Sequence, residues 1–356
     1  MAYASITKPS LQFNTKLYTG NGGTQSITGV GFQPDWTWIK NRDNTDNHVL
    51  YDAVRGATKR MQSNLDSAES TKTNGVTSFD SDGFSVGSAN ENNNNGQNIV
   101  SWNWKANGAG SSNTDGSITS TVSANTTAGF SIVGWTGNNT NGATVGHGLG
   151  VAPEMVMFKN RGATNSWHVY HRDLQTRQTT CLLLDGTNSQ VTGNNYMYGT
   201  IPSSSLLYLG NSAATNENGI NFIAYCFKSI KGFSKIGSYP GNGSNTNGPF
   251  IYTGFKPAFV MLKVGYASAG ADFSGNWNIF DNRRDGINPT TKRLLPNSTN
   301  AEASASVQAI DFLSNGFKVN SNNTDQNSSA GVYMYYAVAE NPLVANVGQS
   351  IPTTAV

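Results

Sequence analysis

Pro34-Asp-Trp-Thr-Trp-Ile-Lys40, Pro153-Glu-Met-Val-Met-Phe-Lys159 and Pro257-Ala-Phe-Val-Met-Leu-Lys263 share one pattern. Each begins on proline, sets large side chains two and four positions later (Trp36 and Trp38, Met155 and Met157, Phe259 and Met261), and ends on lysine (Lys40, Lys159, Lys263). Alternate side chains of a strand share a face, so each pair of large residues forms one side of a β-strand. Similarity at a fixed place in successive stretches is the sign of a repeated unit.

Other matches keep the same spacing. Gly129-Phe-Ser-Ile-Val-Gly134 resembles Gly232-Phe-Ser-Lys-Ile-Gly237, and Tyr18-Thr-Gly-Asn21 resembles Trp135-Thr-Gly-Asn138. Aromatic strands close each unit: Val100-Ser-Trp102-Asn-Trp104, Ile223-Ala-Tyr225-Cys-Phe227 and Met334-Tyr-Tyr336-Ala-Val338. Turn signals such as Asp82-Gly83, Asn141-Gly142 and Asn218-Gly219 stand between short apolar runs. The expected fold is all-β, with three tandem β-sandwich modules of jelly-roll, lectin-like type. Their bounds are 1–106, 129–231 and 232–342. Residues 107–128, rich in Gly, Ser, Thr and Asn, read as a flexible or extended linker setting module one apart. Modules two and three, with no such spacer, are expected to form one rigid block, and 343–356 an extended tail. Tyr51–Arg60 is the one place where a turn or two of helix is expected.

Composition narrows the functional classes. Charged residues make up 12 % of the chain, about half of the ~25 % usual in soluble domains. Lys+Arg 23 against Asp+Glu 21 leaves a formal +2, so nothing electrostatic favours nucleic acid or an anionic membrane as partner. Aromatic residues at 10 % argue for a packed core rather than disorder. Cys181 and Cys226 lie in apolar runs, as small buried hydrophobes do. The N-terminus has no apolar core of a signal peptide, so synthesis as a soluble cytosolic product is expected.

Sites of chemistry are sparse. His168 and His171 face opposite ways on a strand, which does not suit a metal. His147 reads as a turn residue. Asp80 and Asp82 lack the other ligands of a calcium loop and read as turn-forming. Gly146-His-Gly-Leu-Gly150 lacks the Lys-Ser/Thr of a phosphate loop, and Cys181 has no histidine placed to activate it. No catalytic residue, metal or cofactor is expected. Tyr51-Asp52-Ala-Val-Arg55 and Phe280-Asp281-Asn-Arg-Arg284 share a spacing at which Asp and Arg meet as a module-stapling ion pair. The three lysines are expected at strand exits towards solvent. Tyr18, Trp135, Trp167, Tyr239 and Trp277, beside Gly/Asn-rich loops, are the candidates for stacking on a glycan or a protein partner, with core filling as the competing role.

Gly31-Phe-Gln-Pro-Asp-Trp-Thr-Trp-Ile-Lys40, Tyr51-Asp-Ala-Val-Arg-Gly-Ala57, Ser81-Asp-Gly-Phe-Ser-Val86 and Trp102-Asn-Trp-Lys105 resemble a recurrent module of virion structural proteins. These occur in tailed phages, above all those of marine bacteria. Gly146-His-Gly-Leu-Gly-Val-Ala-Pro153, Tyr252-Thr-Gly-Phe-Lys-Pro-Ala-Phe-Val-Met261 and Ala339-Glu-Asn-Pro342 carry the resemblance through the rest of the chain. It implies a non-enzymatic virion protein, associated with the tail or its fibres. Such a protein forms a homo-oligomer (a trimer is one form) and contacts other virion proteins, with host glycan recognition as an accompanying role. Decoration of the capsid shell is the alternative, and a polysaccharide-degrading tailspike a lesser one.

Overall fold

The computed structural model describes residues 4–193, 195–267, 273–304 and 306–342. It is an all-β structure in which three large antiparallel sheets face one another and three of the four small sheets cover their outer sides, the fourth being the pair Lys292–Arg293 and Ala303–Ser304. The only helices among the described residues are Pro9–Leu11 and Asn90–Asn93, and neither is long or apolar enough to cross a membrane.

Four strands appear in the same order in each large sheet. In the first they are Phe13–Thr19, Asn98–Trp104, Trp36–Asn41 and Val49–Asp52. In the second they are Phe130–Thr136, Asn221–Phe227, Met155–Asn160 and His168–His171, and in the third Ser234–Pro240, Gly331–Pro342, Phe255–Ala267 and Asn278–Asp281. Register agrees. Trp36, Met155 and Phe259 oppose Trp104, Phe227 and Val338 on one side, and Asp52, His171 and Asp281 on the other. The proline precedes the strand in the first two cases, whereas Pro257 lies inside its strand at a register shift. Gly129 (φ +66°) and Gly232 (φ +77°) make the left-handed turns that start the second and third sheets, where a side chain would be strained.

The alternation of side chains explains why the proline strands are apolar almost throughout. Trp36, Trp38, Met155, Met157, Phe259 and Met261 point inward to one core shared by all three sheets. Trp36 stacks on Tyr225 of the second sheet (4.5 Å between centroids) and lies 5.8 Å from Phe130, while Phe259 of the third meets Phe13 of the first at 5.3 Å. The opposite faces enter three separate outer cores under the small sheets. Ile39, Tyr51 and Phe84 fill one, Val156, Phe158 and Tyr196 the second, and Val260, Leu262 and Phe317 the third. A strand buried on both faces loses the apolar–polar alternation of a half-exposed one.

Three expectations are corrected here. Residues 107–128 are no free linker: Ser111–Asn113 and Ser120–Asn125 are strands that extend the second sheet beyond Phe130–Thr136. Small polar side chains suit them because the added strands lie largely at the surface. The first stretch is not set apart from a block of the other two, since Trp36, Trp38, Trp102 and Trp104 stand in the shared core. Tyr51–Arg60 holds no helix; the strand ends at Asp52 and a turn leads to Lys59–Gln62. The expected tail, 343–356, lies outside the described residues.

Candidate functional site

Four of the five aromatic candidates lie inside the protein. Trp135, Trp167, Tyr239 and Trp277 are buried, and Tyr18 is half-buried. Their polar atoms are taken by backbone carbonyls: Trp135 Nε1 by Thr215 (3.0 Å), Trp167 Nε1 by Gln62 (2.9 Å), Trp277 Nε1 by Leu183 (2.9 Å), Tyr239 Oη by Gln326 (2.7 Å) and Tyr18 Oη by Asn92 (2.7 Å). Two of these bonds cross between stretches of the chain. Trp167 reaches from the second stretch to the first, and Trp277 from the third to the second. A buried indole with its N–H satisfied packs and orients rather than stacking on a ligand.

The three lysines are fully buried, against the expectation that they leave strands towards solvent. Lys40 Nζ donates to the carbonyls of Asn41 (2.6 Å) and Asn44 (2.7 Å). Lys159 Nζ donates to Asp66 (2.6 Å) and Asn165 (2.5 Å), and Lys263 Nζ to Thr187 (2.7 Å) and Gly275. Asp66 and Thr187 belong to the preceding stretch, so Lys159 and Lys263 tie neighbours together. Burial pushes Lys40 and Lys159 down to about 8 and Lys263 to about 7, with nearby aspartates opposing it.

Charge concentrates where the stretches meet. Between the first and second, Arg55 pairs with Asp52 in full burial, and Tyr225 Oη donates to the same carboxylate (2.6 Å). Arg55 also reaches Glu69 (3.1 Å), which Arg161 grips with Nε (2.9 Å) and Nη2 (3.0 Å). Burial alone raises the Glu69 carboxyl pKa, but the Arg161 and Arg55 guanidiniums outweigh it and hold the group below its usual value. Between the third and first the same network of four charged side chains and one aromatic donor recurs. Arg284 binds Asp281 (2.6 Å) and Glu302 (3.0 Å), Arg42 binds Glu302, and Trp102 Nε1 donates to Asp281 (3.0 Å). The Asp–Arg spacing thus marks ion pairs that also bond across a junction.

Between the second and third stretches the charges are gone while the backbone contact stays. Glu69 N–H donates to Arg161 O (3.0 Å), Glu302 N–H to Arg42 O (2.7 Å) and Gln190 N–H to Gly265 O (2.6 Å). His171 and Leu174 stand where the other junctions have Asp and Arg. Both are buried, and burial lowers the His171 pKa to about 4. His48, at the register position of Trp167 and Trp277, accepts from Trp38 Nε1 (3.0 Å) and lies parallel to Trp102.

Other expected residues serve the framework. Asp82 accepts from the N–H groups of Gly29 (2.9 Å) and Gly31 (2.7 Å), and Asp80 from Ser78 and Ser85 (2.8 Å each). His147 is buried beside the Ser203 carbonyl, and Cys181 and Cys226 are buried free thiols. Among the described residues no group of three or more His, Cys, Asp or Glu side chains is placed to hold a metal.

Two adjoining hollows open at the junction of the first and second stretches. One, of about 160 Å³, is lined by Glu69, Arg161, Gly162, Gly219, Ile220 and Asn221. The other, of about 190 Å³, shares Arg161 and Asn221 and adds Val54, Thr119, Thr121, Gly134, Thr136 and, alone of the aromatic candidates, Trp135. The three threonines and Asn221 are exposed, and Thr136 Oγ1 donates to Asn221 Oδ1 (2.8 Å). Sequence reading passed over these residues because Thr119 and Thr121 lie in the stretch taken for a linker.

One family description matches residues 8–342, nearly the whole chain: a domain of unknown function, DUF7483. No curated protein and no solved structure matches.

Proposed function

The chain belongs to the DUF7483 family, and we propose that it is a non-enzymatic structural protein of a tailed-phage virion, borne on the tail or its fibres. One observation carries this reading: the reactive side chains hold the framework together. Asp52 and Asp281 each accept a bond from another stretch, Glu69 and Glu302 pair across junctions with Arg161 and Arg42, Lys159 and Lys263 grip carbonyls of a neighbouring stretch, and both thiols are buried. An enzyme sets such groups beside a cavity where a reacting atom can sit. The sequence likeness to virion modules supports the placement, and three large sheets of like strand order around a common core suit a rigid particle component. Its partners on this reading are further copies of itself and other virion proteins.

Antibody labelling of purified particles in electron micrographs, with mass spectrometry of the same particles, tests the proposal. Label on the tail is the expected result. Label on the shell replaces the tail assignment with capsid decoration, and absence of the chain from particles ends the reading. Release of reducing ends from host polysaccharide by the purified protein would end the non-enzymatic part.

A further inference from the structure

Arg42 and Arg161 occupy matching places, but their next neighbours in the chain differ. Both arginines follow a proline strand, pair with a glutamate of a different stretch, and donate their N–H to an asparagine carbonyl at the start of a closing strand: Arg42 to Asn98 O and Arg161 to Asn221 O, each at 2.9 Å. After Arg42 comes Asp43. Its Oδ2 accepts from the Asn98 N–H (2.7 Å) and from Asn98 Nδ2 (3.1 Å). After Arg161 comes Gly162, and the corresponding space at Asn221 is the 160 Å³ hollow.

We propose that this hollow binds a carboxylate from outside the chain, that of a uronic-acid sugar whose hydroxyls lie along Thr119, Thr121 and Thr136. The Asp43 site demonstrates that a carboxylate is tolerated in such surroundings. Glu302 stands beside Asp43, yet it is held by Arg42 and Arg284; Glu69 in the hollow is held in the same way by Arg161 and Arg55. Asn221 Oδ1 is already an acceptor for Thr136, which leaves its amide nitrogen as the donor. Glycine keeps the space open: a Cβ at position 162 would come within 3.1 Å of the Ile220 side chain. The sugar assignment rests on the second hollow, where exposed hydroxyls and an amide adjoin the charged end and match a polyhydroxylated ligand better than an acidic peptide. This site does not depend on where the protein sits in a particle.

Calorimetric titration of the full chain with glucuronate, glucose and acetate tests the inference. Glucuronate is expected to bind about tenfold or more tighter than either glucose or acetate. Gly162→Asp places a tethered carboxylate as in the Arg42 site and abolishes glucuronate binding while the chain still folds, as its circular dichroism and a cooperative melt check. Thr121→Val, on an exposed strand position that accepts a β-branched residue, brings glucuronate affinity down towards that of acetate. Undiminished glucuronate binding by folded Gly162→Asp, or no binding by the parent at millimolar sugar, overturns the site. Equal affinity for acetate and glucuronate overturns the sugar assignment.

Discussion

Arg42 and Glu302 stand 260 residues apart in the chain and meet as a two-pronged ion pair, Nη2 to Oε1 at 2.7 Å and Nε to Oε2 at 3.0 Å. This contact joins the third stretch of the chain back to the first, so the three large sheets form a closed ring around their common core. Glu302 also receives Arg284 Nη1, and Arg284 is wholly buried against Asp281. Loss of one member therefore strands others.

Glu302→Gln is expected to lower stability by about 3–5 kcal/mol, the range for breaking a buried pair while its partner charge stays in place. Urea unfolding with a double-mutant cycle through Arg42→Ala measures the coupling, expected at about 0.5–3 kcal/mol. A coupling of zero would show that the closing contact contributes nothing.

Unfolding should occur in a single cooperative step. Trp36, Tyr225 and Phe259 share one core, so no stretch can lose its inner face without exposing the other two. Calorimetry and fluorescence are expected to give one coincident transition. An early, separate transition of residues up to 106 would contradict the shared core.

Stability should rise from about pH 7 to about pH 9. Over that interval Lys40, Lys159 and Lys263 lose protons in the folded protein, at about 8, 8 and 7, while the unfolded chain keeps them, and stability increases wherever the unfolded state binds more protons. Above about pH 9 the sign reverses, because burial raises Cys181 and Cys226 to about 12 and holds buried tyrosines such as Tyr196, Tyr225 and Tyr239 well above their usual value, so that the unfolded chain releases these more numerous protons first. On the acid side His48 and His171, both lowered by burial, stay neutral when folded, so stability falls as the pH drops below the usual histidine range. Melting temperatures across this range check the profile, and Lys263→Met should flatten its alkaline rise.

Trp167→Phe and Trp277→Phe each remove an N–H that satisfies a carbonyl of the preceding stretch. Each is expected to cost about 1–3 kcal/mol through the carbonyl left unpaired. Glucuronate binding should be unchanged in both, since neither ring lines the hollows. Loss of binding with unchanged stability would return these rings to the role of ligand platform.

Much of the strand layout is legible in the sequence. The period-two pattern of Trp36 and Trp38, Met155 and Met157, and Phe259 and Met261 places the proline strands, and the Asp52–Arg55 and Asp281–Arg284 spacings foretell ion pairs that the structure contains. The hollows at the junction of the first and second stretches are not legible. Rings such as Trp277, flanked by loop residues, look available to a ligand, and only coordinates reveal the Leu183 carbonyl that occupies the indole. Thr119 and Thr121 have the composition of a spacer, because an added strand near the border of a sheet, with one face partly solvated, needs few large side chains.

Taken by itself, the order of residues determined the β class, the aromatic strands and the sites of local turns, since these arise from side-chain alternation and from the backbone freedom of glycine. Tertiary structure decided what those strands share. Whether an apolar face meets its own small sheet or two foreign large ones depends on contacts between residues more than a hundred positions apart, to which a local pattern is blind. The same holds for the lysines: Lys159 and Lys263 read as solvent-facing ends until the carbonyls of Asp66 and Thr187 arrive from a neighbouring stretch to receive them.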